Sequence, residues 1–264
     1  MGTTATTGPG AISTSAIPPS SRCGNWTLYE YAVVASTNLV AANLGAWTAV
    51  RADTQTNGRG RFQRTWVSDL GGLWLSAVVP LSHNPVARKV LPLAAGLAVC
   101  DGLHELGISG LRLRWPNDVL VNDRKLAGLL IDQFVPGLAV VGIGLNVTNQ
   151  PEAHDPLLAH RTARLVDLIT SPLELATLTR VLLSHLHNVM IDLSHRGAPA
   201  LLSRINKLWG VPRRVELDLN GTPRSGTFTG VDPEGRLTLS EGTGGVTFYE
   251  AHQVRHLTEI GALS

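Results

Sequence analysis

The chain has 264 residues, 44% of them hydrophobic, enough for the core of one large domain and a small second one, which excludes disorder throughout. Its 22 basic and 20 acidic residues leave a formal charge of +2, so no broad electrostatic attraction to a nucleic-acid backbone is expected. With only Cys23 and Cys100 present, a disulfide framework is a poor reading.

The opening 23 residues are rich in Thr, Ser, Gly, Pro and Ala and offer too little apolar surface to offset the entropy of ordering them, so a disordered tail is expected. That stretch lacks a basic segment joined to an apolar one, the pattern of a secretory signal. No apolar run reaches the roughly 18 residues of a membrane span. The cytoplasm is therefore the expected compartment.

Residues 26–34 read as a short strand, followed by Ser36, Thr37 and Asn38 as the cap of a helix carrying Leu39, Val40, Ala41, Ala42 and Leu44. Strand-like residues 47–52 enter a glycine- and arginine-rich stretch at 55–64, and 73–79 resumes an apolar strand. Pro92 suits the first turn of a helix running to Leu106, because proline has no amide hydrogen to leave unpaired there; Cys100 falls inside it as a small core residue. Alternation on both sides of Asn122-Asp123 predicts a hairpin within 111–134, and 137–147 is a further apolar strand ending in GIGLNV.

Leucines at 173, 175, 178, 182, 186 and 193, with Val189, space a helix over 172–193, and a shorter one follows over 198–206. After Gly210 the pattern changes to short alternating runs separated by Asn220-Gly221, 232–235 and 242–245, the mark of a small all-β unit of about 50 residues. The expected organisation is thus a tail over 1–23, an α+β domain over 24–209 with helices packed on a mixed sheet, and a β domain over 210–264.

Three segments suggest chemistry. In QTNGRGRFQRTW, residues 55–66, Gly58 and Gly60 permit close ligand approach while Arg59, Arg61 and Arg64 offer donors to carboxylate or phosphate oxygens. The bland alternative is a solvated basic loop; a phosphate-binding G-x-x-x-x-G-K-[ST] loop is absent. In RWPND and DRKLAG, Asp118 suits a divalent ion or a basic partner, and Lys125 supplies a point charge for an activated carboxylate and phosphate; an exposed hairpin with an Asp–Lys pair competes. In GIGLNV, Asn146 offers an amide to a polar base edge, against simple close packing around two strand glycines. His185 and His187 lie two apart on a helix and share no ligand face, which argues against a zinc site.

Taken together, Ser36-Thr37-Asn38, the GRGR stretch, Trp115-Pro116-Asn117-Asp118, Arg124-Lys125-Leu126-Ala127-Gly128 and Gly142-Ile143-Gly144-Leu145-Asn146 resemble the biotin-protein ligases across about residues 30–262. The resemblance implies a catalytic domain related to lipoate ligases and class II aminoacyl-tRNA synthetases, with a C-terminal SH3-like β barrel. It implies that Ser36, Thr37, Asn38, Gln55, Gly58 and Arg59 contact biotin's ureido end, with Arg61, Lys125 and Gly128 toward its carboxylate. Arg61, Arg64, Trp66, Asn117, Lys125 and Asn146 would face ATP or the adenylate, and Asp118 would approach Mg2+; Lys125, Arg61 and Arg64 are the catalytic candidates.

The family loop usually reads GRGRxGRxW, whereas Gln63 stands where its third glycine is expected, which narrows the backbone freedom of that loop. By the same resemblance the substrates are ATP and biotin and the product is biotinyl-5'-AMP. The acceptor is a biotin carboxyl carrier domain of an acyl-CoA or pyruvate carboxylase. Bifunctional members carry an N-terminal winged-helix DNA-binding domain; only a short low-complexity stretch precedes the catalytic region here, so no specific DNA binding is expected. No membrane partner is implied, and a weak or ligand-dependent homodimer is left open. A lipoate ligase is the rival within the enzyme class, and an SH3-like binding module the rival outside it.

Overall fold

The computed structural model describes residues 18–158, 161–242 and 244–262, so 1–17, most of the expected tail, lies outside the described residues. Ser20–Cys23, which the tail reading took in, instead form strand β1 and pair antiparallel with β2 (Trp26–Val34). Six more strands complete a mixed sheet: β3 (Thr48–Gln55), β4 (Leu73–Pro80), β5 (Leu111–Arg114), β6 (Asp118–Val121), β7 (Arg124–Asp132) and β8 (Leu138–Leu145). Their order is β1-β2-β3-β4-β8-β7-β6-β5, and β2 with β3 is the parallel pair.

Alternation decides which side chains meet which layer. Leu73, Leu75, Ala77 and Val79 of β4 enter the main core with the helices α2 (Pro85–Glu105), α3 (Leu175–Arg196) and α4 (Ala198–Trp209). The intervening Val78 joins Val50, Val140 and Ala41 in a small second cluster under the short helix α1 (Thr37–Ala41), on the opposite face. A period of two thus separates a thickly covered face from a more thinly covered one.

Helix α2 begins at Pro85, not Pro92. Asn84 caps it by accepting from the Val86 amide at 2.9 Å, Pro85 takes the first turn, and Pro92 lies inside. Burial of Val90, Leu91, Leu93, Ala94 and Leu97 holds the helix through the proline, each large apolar side chain being worth about 1.5–3 kcal/mol. At the other end of the sheet, Asn122 and Asp123 both take positive φ, 48° and 58°, which builds the expected two-residue hairpin between β6 and β7.

Beyond Trp209 the chain forms a second, antiparallel sheet from β9 (Arg213–Leu219), β10 (Thr222–Val231), β11 (Leu237–Glu241), β12 (Gly245–Tyr249) and β13 (His256–Ala262), ordered β12-β11-β10-β9-β13. Its buried Val215, Leu217, Phe228, Leu237 and Leu239 belong to the same continuous core as the large sheet. Among the contacts across the join, Trp209 meets the Phe228 ring edge-on at 5.0 Å, and Arg112 of β5 clamps both oxygens of Glu259 on β13 at 2.7 Å each.

Candidate active site

A cavity of about 780 Å³ opens on the thinly covered face, bounded by α1, the loop 58–66, β6–β8 and the segment 254–260. Its floor is shaped by absent side chains. Gly128 of β7 and Gly144 of β8 are cross-strand partners, and the Trp66 indole lies across both. A Cβ on Gly144 would stand 2.5 Å from the indole nitrogen, and one on Gly128 2.9 Å from the ring. Gly142 makes the same allowance for Asn38, whose Oδ1 would be 2.4 Å from an added Cβ. The close-packing reading of these strand glycines is therefore right in geometry, and the groups they admit are cavity residues.

At one end of the cavity sit Ser36, Thr37 and Asn38, all at 4% exposure. Ser36 occupies the helix N-cap position without a side-chain cap bond, contrary to the expected role of this trio as a cap, which leaves the Ser36 hydroxyl for the cavity. Gln55 Oε1 accepts from the Thr37 amide at 2.8 Å and its hydroxyl at 3.0 Å, while Gln55 Nε2 donates to Ser68 Oγ at 2.8 Å. Gly58 is required sterically: an added Cβ would lie 2.3 Å from the Trp66 carbonyl oxygen and 2.4 Å from Ser68 Oγ. The Trp66 amide in turn donates to the Gly58 carbonyl at 2.9 Å, and the Gly60 amide to that of Arg64 at 2.7 Å, folding 58–66 back on itself.

Phe62 and Gln63 both have positive φ, 54° and 60°, so the missing third glycine falls at a position whose backbone favours glycine. The three arginines of this loop do not converge on one point. Arg61 donates to the Ala251 carbonyl at 2.5 Å and to that of Val254 at 3.2 Å, and Arg64 to that of Arg255 at 3.3 Å. Both are thus tied to the segment leading into β13. Burial lowers the Arg61 guanidinium's pKa, against the opposing charge of Asp118. Arg59 Nε is buried with no partner among the described residues, as is Trp66 Nε1.

At the opposite end, Asp118 of β6 holds Lys125 Nζ at 2.5 Å through one oxygen and Arg114 at 2.7 Å through the other. Burial works to raise the Asp118 pKa, but Lys125 and Arg114 outweigh it and hold the carboxyl below its ordinary range. Lys125 also stands 4.9 Å from the Trp66 ring centre, a cation over an aromatic face. Asn117 Nδ2 donates to the Leu129 carbonyl at 2.6 Å while its backbone carbonyl accepts from the Leu129 amide at 2.9 Å, so side chain and backbone together brace β7. Asn146, 2% exposed, lines the cavity and accepts from Asn149 Nδ2 at 3.1 Å.

The expectation that Asp118 approaches Mg2+ meets a carboxylate already engaged by cations. Both its oxygens are taken by cations, and no cluster of three His, Cys, Asp or Glu suited to a metal occurs among the described residues. Of the sequence-predicted residues, the cavity brings together all but Gly58, which shapes the loop from behind. Sequence reasoning missed Ser68, Ser76, Asp132, Arg161 and the 251–256 segment, none of which lies in a glycine- or charge-rich motif.

Residues 33–147 match the model of the biotin/lipoate A/B protein ligase family. The biotin--[acetyl-CoA-carboxylase] ligase of Mycobacterium tuberculosis is 34% identical over 85% of this chain and 88% of its own. The bifunctional ligase/repressor BirA of Bacillus subtilis is 31% identical over 77% of this chain, and that of Escherichia coli 30% over 72%; the matches span 65% and 60% of those two relatives' own length, less than two thirds. Among solved structures, a biotin protein ligase from Aquifex aeolicus in complex with biotin and ATP superposes with a TM-score of 0.78, at 25% identity, covering 88% of this chain and 98% of that one.

Proposed function

The chain belongs to the biotin-protein ligase family, and from that membership we propose that it activates biotin with ATP and transfers it to a lysine of a carrier protein. The observation that carries this reading is the cavity itself: an apolar glycine floor with polar groups at one end and cations at the other. A ligand with a cyclic urea at one end and a carboxylate at the other meets complementary chemistry at both.

In the first half-reaction a carboxylate oxygen of biotin attacks the α-phosphorus of ATP, and the bond to the bridging oxygen breaks to release pyrophosphate. In the second, the acceptor amine attacks the acyl carbon of the mixed anhydride, AMP leaves, and the amine loses a proton. Neither step needs an enzyme nucleophile. Lys125 is assigned to the developing negative charge between carboxylate and phosphate, where a preformed cation needs no reorganisation. Asp118 and Arg114 hold that lysine in place, and Trp66 packs over the floor beside it.

Arg61 and Arg64 are assigned to the adenylate phosphate. Their present tie to the 251–255 carbonyls supports a loop that closes against the second sheet, keeping water from the activated acyl group. Asn117 and Asn146 are placed on the nucleotide side. The unit over 210–264 is taken as an SH3-like module, and the acceptor as a biotin carboxyl carrier domain of an acyl-CoA or pyruvate carboxylase. No described helix is long and apolar enough to cross a membrane, and a cytoplasmic setting fits the acceptor.

The test is ATP–pyrophosphate exchange with biotin, lipoate or no added acid. Exchange that depends on biotin is expected. Preference for lipoate would keep the chemistry and reverse the substrate, and no exchange with either would refute the proposal.

A further inference from the structure

Behind the polar end of the cavity lies a chain of hydrogen bonds, buried in its middle, that begins at Asp132, the last residue of β7. Asn38 Nδ2 donates to Asp132 Oδ2 at 2.8 Å. Because a carboxylate only accepts, this contact decides which way the Asn38 amide faces and leaves its Oδ1 as an acceptor. Ser76, wholly buried at the middle of β4, lies 2.6 Å from that Oδ1 and 2.7 Å from Thr37 Oγ1.

A serine hydroxyl has one proton. It must go to Asn38 Oδ1, which has none to offer, so toward Thr37 the Ser76 oxygen is an acceptor. The other neighbour of the Thr37 hydroxyl is Gln55 Oε1 at 3.0 Å, also an acceptor, since Gln55 spends its nitrogen on Ser68. Whichever way the Thr37 proton turns, it is held by the protein. The threonine oxygen therefore presents only a lone pair to the cavity, and a ligand group there must be a donor.

We propose that Asp132 and Ser76 are positioning residues that, acting through Asn38 and Thr37, fix the pocket's acceptor pattern for the N–H donors of a cyclic urea. This rests on the biotin reading above. Neither residue needs to touch substrate: Ser76 is sealed beneath Thr37 and Asn38, and Asp132 anchors the far end of the chain. Gly142 is part of the arrangement, because any side chain there would push Asn38 out of line.

The variants are Asp132→Asn, isosteric but able to donate, and Ser76→Ala, which cuts the chain in the middle. Exchange kinetics would be run with biotin and with the two cyclic carbamate analogues in which oxygen replaces either ureido N–H, alongside a thermal unfolding scan. Expected in both variants is a rise of about tenfold in KM for biotin with kcat and the KM for ATP held, one hydrogen bond's worth of uniform binding. Discrimination between biotin and the more strongly rejected carbamate should narrow, because an Asn38 amide freed from Asp132 or Ser76 can turn its donor toward the cavity and stops penalising a lost donor, while Thr37 stays held by Gln55. A purely structural role would not move that ratio.

Wild-type KM and discrimination in either variant would overturn the proposal, as would a loss confined to kcat. If the wild-type protein itself showed no biotin-dependent exchange, the family-based reading would fall and this inference with it; normal wild-type exchange beside unaltered variants sinks the inference alone.

Discussion

Replacing Asp118 with Asn removes one charge and almost no volume, so its effect isolates the ion pair at the cationic end of the cavity. The carboxylate is 14% exposed and grips Lys125 and Arg114 at 2.5 and 2.7 Å. Its loss leaves two cations facing each other across a largely desolvated gap, a defect that costs about 3 kcal/mol. For a chain of this size that is a fall of roughly 6–12 °C in unfolding midpoint at pH 7. Adding Lys125→Met, which deletes the nearer of the stranded cations, should restore about 1 kcal/mol or more. Acid behaviour follows with a definite sign. The folded carboxyl titrates below its unfolded value, so its contribution is fully present above the unfolded pKa and fades as pH falls through the folded one. Thermal unfolding of wild type, single and double variants at pH 7 and down to pH 3 measures all of this. A midpoint within 2 °C of wild type for Asp118→Asn, about the size of an exposed pair's effect, or a double variant no better than the single, would refute the assignment of a tight, shielded pair.

Lys125→Ala should slow single-turnover formation of the acyl-adenylate by about 10²–10³, the usual loss for one preorganised donor, and a near-normal rate would remove Lys125 from the chemistry. Arg61→Ala deletes two hydrogen bonds to the 251–254 backbone; faster amide exchange in both 58–66 and 251–256 and faster release of the adenylate are expected, and unchanged exchange would mean the tie does not hold the loop. At position 63 the positive φ makes side-chain shape decisive: Gln63→Gly should be near neutral in stability, strain relief offsetting unfolded-state entropy, while Gln63→Val should cost about 1 kcal/mol or more, so equal unfolding midpoints would contradict the geometry. Gly58→Ala must displace the Trp66 carbonyl and should lower stability by about 1–3 kcal/mol and weaken acyl-adenylate binding; wild-type values for both would show that the loop has room to move.

What was legible in the sequence came from short-range physics. Strand alternation, the Asn122-Asp123 turn and the change of pattern after Gly210 located most strands of both sheets, though neither β1 nor β13, because period and turn chemistry are local properties. The glycine-punctuated motifs located the cavity floor and the Asp118–Lys125 pair, whose members sit seven positions apart on adjoining strands of one hairpin. Pro92 misled for an equally local reason: proline favours helix starts, and only burial of 90–97 against the sheet and neighbouring helices lets the helix run through it.

Contacts between distant segments were decided by the tertiary structure. Nothing in the sequence ties Arg61 to Ala251 or Arg112 to Glu259, pairs that are brought together by packing the second sheet against the first. Nothing marks Ser76 within an apolar strand, or Asp132 at the end of another, as part of the polar pocket. Residue type and spacing thus marked the segments that line the cavity, and the resemblance to a family supplied the chemistry expected of them. Where each proton and charge is held was decided by the sheet, since a hydrogen bond's direction depends on every partner within reach and those partners come from separate strands.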